Sequence, residues 1–77
     1  MISLDKIEQK KRYVISGYNT EDAAFLRRFY ELGLVKGRKV QLYNRNLGNV
    51  SMLVLVDNYL IGAKHAVFKQ ILVNEYE

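Results

Sequence analysis

The residue types that could do chemistry in this chain are few. Its 77 residues hold one histidine, His65, and no cysteine. Thiolate zinc sites, iron–sulfur clusters and disulfide frameworks are therefore excluded. A metal at His65 would have to borrow oxygens from Asp57, Glu75 or Glu77, a mixed set that ferrous iron accepts. No second histidine or glutamate stands at ligand spacing from it, and Lys64 beside it disfavours a cation. His65 thus reads as an exposed histidine, with no metal site. There is no serine–histidine–acid or cysteine–histidine set, no phosphate loop and no convincing carboxylate pair. A phosphate approaching the helix N-terminus would meet Glu21 and Asp22. The chain reads as a non-enzyme.

Charge and aromatics offer more. The net charge is +4 and the sequence pI near 9.5, which favours an acidic partner without naming one. Arg27 and Arg28, with Lys36, Arg38 and Lys39 nearby, form a candidate basic surface for an acidic patch. The plainer reading is a solvated helix face, where exposed pairs contribute ~0–1 kcal/mol to stability. Six tyrosines raise the question of base stacking. Only Lys39, Gln41, Tyr43 and Arg45 alternate cation with ring, along a single strand. Tyr13, Tyr30 and Tyr59 read as packing at a barrel edge with the hydroxyl in water. No nucleic-acid partner is expected.

The elements that must position these residues centre on 25–45. Phe25, Phe29 and Leu32, with Leu26 beside them, paint one stripe of a helix. Gly33 suits a left-handed cap, with Leu34 packing back on Phe29. In Val35-Lys36-Gly37-Arg38 glycine stands third, as a type II turn requires. A strand follows with Val40 and Leu42 inward. Upstream, residues 3–7 lay Leu4 and Ile7 on the core, and 12–18 form a strand with Tyr13 and Ile15 on one face and a bulge or end at Gly17. Asn19 or Thr20 is the expected N-cap, with Glu21 and Asp22 in the first helical turn. Downstream, 44–49 is a polar loop containing Leu47-Gly48. Residues 50–56, apolar on both faces, read as a central strand. Asp57-Asn58 makes a two-residue turn, 59–63 pairs back, 64–69 holds one helical turn, and 70–74 closes with Ile71 and Val73 inward.

The expected fold is mainly β: one domain over 1–77, a small closed barrel of about five strands. One helix is inserted after the first strand and a short helical turn precedes the last. Closure would remove exposed edges. Phe25, Phe29, Leu32, Val40, Leu42, Val54, Ile61, Ile71 and Val73 are the expected core. No apolar run approaches the ~18–20 residues of a membrane span, and the N-terminus lacks a signal peptide's apolar stretch. A cytoplasmic, non-membrane protein is expected.

LRRFYELGLVKGRKV at 26–40, Leu47-Gly48, and YLIGAKHAVFKQILV at 59–73 resemble the FeoA family of bacterial ferrous-iron transport accessory proteins, in order and over nearly the whole length. LGL-x-x-G at 32–37 is the most specific piece. Five positions depart from the family pattern. Lys36 replaces the usual turn proline, Lys10 and Asn58 stand where glycine is common, and Ala63-Lys64 replaces leucine-arginine. The resemblance implies an SH3-like barrel; no cofactor is expected, and weak or transient binding of ferrous or another divalent metal is compatible with it. Its implied partner is FeoB, the membrane ferrous-iron transporter with a cytoplasmic G-protein domain. On that reading Arg27, Arg28, Tyr30, Leu34, Val35, Lys36, Gly37, Arg38 and Tyr59 make the contact, while Phe29, Leu32 and Gly33 hold its shape. The same barrel resembles the C-terminal domain of DtxR-type repressors, which makes a metal-sensing module the alternative. The chain is too short for such a repressor's winged-helix and dimerisation parts. A small basic nucleic-acid-binding barrel is the third reading.

Overall fold

Alternation of apolar and polar residues, read along each strand, builds one curled antiparallel sheet. The computed structural model describes residues 1–46 and 50–76. Its elements are β1 (Ile2–Ser3), a 3-10 turn (Leu4–Lys6), β2 (Arg12–Tyr18), α1 (Ala23–Leu32), β3 (Lys39–Arg45), β4 (Ser51–Val56), β5 (Tyr59–Lys64), α2 (His65–Phe68) and β6 (Ile71–Tyr76). The strand order is β1-β6-β2-β3-β4-β5. The mainly β architecture, the inserted α1 and the short helix before the last strand match the sequence expectation. The sixth strand, β1, is two residues long and pairs Ile2 with Val73 and Ser3 with Leu72. Two residues are too few to show alternation.

Closure differs from the expectation. β1 and β5 are the two outer strands and, among the described residues, do not pair with each other. The ends of the sheet are instead bridged by α2 lying against the 3-10 turn, with Leu4, Ile7 and Phe68 buried between them. β4 was expected at the centre; it is flanked on both sides but stands second from the edge, and β2 and β3 hold the middle. Bulges at Ile15/Gly17 and Leu42/Asn44 add bend and twist that curl the sheet.

The core holds Phe29, Val40, Leu42, Val54, Ile61, Ile71 and Val73 as expected. Phe25 and Leu32 are only half-buried and pack on it from outside, because α1 inserts only one residue, Phe29, fully into the core. Tyr13, Ile15, Leu34, Met52 and Val56 complete the interior, which contains no buried charged residue among those described. Phe29 stacks on Tyr18 (centroids 5.7 Å apart, 11° between planes) and meets Phe25 at a tilt (5.9 Å, 33°), geometries that aromatic pairs favour.

Helix α1 begins later than expected. Asp22, not Asn19 or Thr20, is the N-cap: its Oδ1 accepts from the Ala24 N–H at 2.9 Å. Thr20 Oγ1 accepts from the Asp22 N–H at 3.1 Å, so the threonine shapes the approach and leaves the cap to the carboxylate. Glu21 consequently lies before the helix. The other end is as anticipated. Gly33 takes φ 83° and ψ 12°, the Gly33 N–H donates to Tyr30 O (3.0 Å) and the Leu34 N–H to Phe29 O (2.8 Å), the paired bonds of a Schellman cap. The Arg38 N–H then donates to Val35 O at 3.1 Å with Gly37 at φ 88°, a type II turn. Two further bonds tie this turn to β2, Gly37 N–H to Ile15 O and Ile15 N–H to Arg38 O, each 2.9 Å. Lys10 takes φ 67°, which explains why glycine suits that position. In the Asp57-Asn58 turn only Asp57 takes a positive φ among the described residues (55°).

Candidate functional site

The end of α1 and the turn after it present the residues expected to contact a partner. Arg27, Arg28, Lys36 and Gly37 are exposed, and Val35 and Arg38 half-buried. Tyr30 is 75% exposed, with Arg27 one turn away on the same helix face. Leu34 is the exception. It is 0% exposed, folded under the cap against the core, and its side chain is not available to a partner.

Three tyrosine hydroxyls expected in water are not placed alike. Tyr59 is partly exposed, yet its hydroxyl donates to Leu32 O at 3.0 Å. That bond satisfies a carbonyl left open at the helix end. Tyr13 is buried and its hydroxyl accepts the Glu8 N–H at 3.1 Å. Tyr30 alone of the three is well exposed. Tyr18, half-buried, donates to Leu34 O at 2.7 Å, and burial pushes its phenol pKa up. Tyr59 and Tyr18 thus clamp both sides of Gly33.

The cations divide in the same way. Arg38 Nη1 lies 2.6 Å from Asp57 Oδ2, so its charge is already partnered. Arg27, Arg28 and Lys36 make no ion pair among the described residues. Arg45 does not extend a stripe with Lys39, Gln41 and Tyr43: the bulge after Leu42 turns it back, and its guanidinium donates to Ile7 O at 2.6 Å. Lys39 Nζ sits over the Tyr76 ring, 5.4 Å from its centroid. Lys11 bridges Glu75 (3.7 Å) and Glu8 (3.6 Å), and these two carboxylates, Glu75 foremost, raise its pKa.

His65 is half-buried rather than exposed, and its Nε2 is buried without a hydrogen-bond partner among the described residues. The oxygens considered for a metal there are engaged elsewhere, Asp57 with Arg38 and Glu75 with Lys11. Glu77 and the Leu47-Gly48 pair lie outside the described residues. Among the described residues no three His, Cys, Asp or Glu side chains gather as a metal site would require.

Residues 2–75 match the FeoA domain. This chain belongs to the FeoA family. Solved FeoA structures share its fold, among them the following three. The FeoA protein of Chlorobium tepidum aligns with a TM-score of 0.86 at 20% identity, covering 99% of this chain and 71% of that one. A FeoA-like protein from Clostridium acetobutylicum gives 0.83 at 20%, covering 96% and 85%. Stenotrophomonas maltophilia FeoA, solved with zinc and described as a prokaryotic SH3 domain protein and candidate ferrous iron transport activating factor, gives 0.81 at 25%, covering 96% and 91%. The repressor ScaR with bound zinc also shares the fold (0.84 at 17%), but this chain spans only 37% of it. No curated protein sequence matches. Within this FeoA-family chain the fold absorbs the unusual residues: Lys36 is an exposed turn position whose geometry Gly37 sets, and Lys64 is exposed at the end of β5. Among the described residues no helix is long and apolar enough to cross a membrane.

Proposed function

We propose that this chain is a non-enzymatic, cytoplasmic accessory protein of bacterial ferrous iron transport. It docks on the G-protein domain of a FeoB-like membrane transporter through the exposed face of α1 and the turn Val35 to Arg38. Family membership supports the process. The observation that carries the docking face is Tyr30, three-quarters exposed, sharing a helix side with Arg27 on an element anchored at both ends. Aromatic and arginine side chains on rigid supports are the residues that concentrate binding energy at interfaces, and Tyr59 and Gly33 fix the helix end that displays them. Arg28 and Lys36 extend the basic rim; Leu34 acts from within.

The test is binding of the transporter's isolated G domain to the protein and to an Arg27→Ala/Arg28→Ala variant. Loss of about tenfold or more in affinity with an unchanged melting temperature supports the surface; full affinity in the double variant rejects it. The ScaR likeness supports a second reading, a metal-responsive module. Calorimetry with ferrous or manganous ion decides it: saturable heat abolished by His65→Ala favours that reading, and no heat removes it.

A further inference from the structure

The outer face of the sheet carries a second surface that shares no residue with α1. The ladders place Arg12 opposite Tyr76, Gln41 opposite Leu55, and Leu55 opposite Leu60. Tyr13 faces Val40, so one step further along Gln41 lies across from Arg12. The row Tyr76, Arg12, Gln41, Leu55, Leu60 therefore crosses five strands, from an aromatic and a cation to two leucines. A hollow of about 290 Å³ opens at its charged end, lined by Arg12, Lys39, Gln41, Leu55, Asp57 and Tyr76. Its one carboxylate, Asp57, is held by Arg38 at 2.6 Å, whereas Arg12 and Lys39 make no ion pair among the described residues. Among the described residues, the hollow is left with two uncompensated cations.

We infer that this face binds an extended acidic–apolar segment of a protein partner, with a carboxylate between Arg12 and Lys39 and apolar side chains over Leu55 and Leu60. The charge asks for an anion, and the arginine fork accommodates a carboxylate in bidentate geometry. A small free anion would leave the leucine end bare, and Leu60 is 46% exposed. A stacked nucleobase is disfavoured because the Lys39 ammonium already covers the Tyr76 ring. Four inter-strand steps of ~4.8 Å make about 19 Å, the reach of roughly six extended residues.

The experiment titrates isotope-labelled protein with a blocked hexapeptide reading EESLLV, with the lysine version KKSLLV, and with hexathymidylate, following backbone amide shifts. EESLLV should shift the Gln41, Leu55 and Leu60 amides. It should bind roughly fivefold to tenfold more weakly to an Arg12→Gln/Lys39→Gln variant, as two exposed charge contacts imply, and equally well to Arg27→Ala/Arg28→Ala. Glutamine removes the charge while keeping part of the aliphatic stem, and an unchanged amide spectrum verifies the fold. Shifts confined to other faces, equal binding of KKSLLV, unchanged affinity in the glutamine variant, or preference for hexathymidylate at these residues would each overturn the assignment.

Discussion

The hydroxyl of Tyr59 occupies the space in which a side chain on Gly33 would begin. A Cβ built there overlaps Tyr59 Oη, while the next ring atom, Cζ, lies at an ordinary 3.5 Å. The same hydroxyl donates to Leu32 O. Gly33→Ala therefore meets two costs, a left-handed φ (~1–2 kcal/mol) and the displacement of a capping bond (~0.5–1.5 kcal/mol). Denaturant melts should show about 2–3 kcal/mol lost in the parent protein. In a Tyr59→Phe background the loss should fall toward the backbone cost alone. Equal losses in both backgrounds would show that the hydroxyl and the glycine are not coupled.

Phe29 is the one fully buried residue of α1 and is flanked by Tyr18 and Phe25. Phe29→Ala should cost ~3–5 kcal/mol, comparable to the ~3–5 kcal/mol that a core of this size supplies. Circular dichroism should find that variant largely unfolded at room temperature, and Arg27→Ala/Arg28→Ala indistinguishable from the parent.

Alkaline stability should depend on Tyr18. Burial raises its phenol pKa above the ordinary value of 10.0, so the folded state holds the proton more tightly than the unfolded chain. The corresponding stability is fully present below the unfolded pKa and is lost as pH rises through the folded one. Stability measured across that window should decline less steeply in Tyr18→Phe. An identical decline would place the alkaline sensitivity elsewhere.

Lys10 holds a left-handed backbone at φ 67°, a conformation natural to glycine. Lys10→Gly should raise stability by up to ~1 kcal/mol, the relief of strain exceeding the added entropy of the unfolded chain. A lower melting temperature would contradict this.

Turn chemistry is what made this fold legible from residues alone. Gly33 and Gly37 each demand one backbone conformation, and both adopt it. The strand faces followed from alternation, which correctly sends Val40 and Leu42 inward. Three polar residues close together, Asn19, Thr20 and Asp22, could each cap α1, and only the bond from Ala24 to Asp22 distinguishes them. The bulge between Leu42 and Asn44 inverts the alternation beyond it, which is why Arg45 turns toward Ile7 instead of joining Lys39 and Gln41. Tyr59 was legible as a surface residue but not as a cap, because its partner Leu32 is 27 positions away. The hollow beside Arg12 and Tyr76 depends on the pairing of two strands far apart in the chain. No local spacing encodes that.

Since the outer strands meet through α2 and the 3-10 turn rather than through a ladder, the molecule is clasped instead of welded. Leu4 and Phe68, one on each side of that line, are both fully buried, so apolar packing holds the two edges together there. Among the described residues β5 pairs only with β4, so its other edge keeps backbone groups outside any ladder.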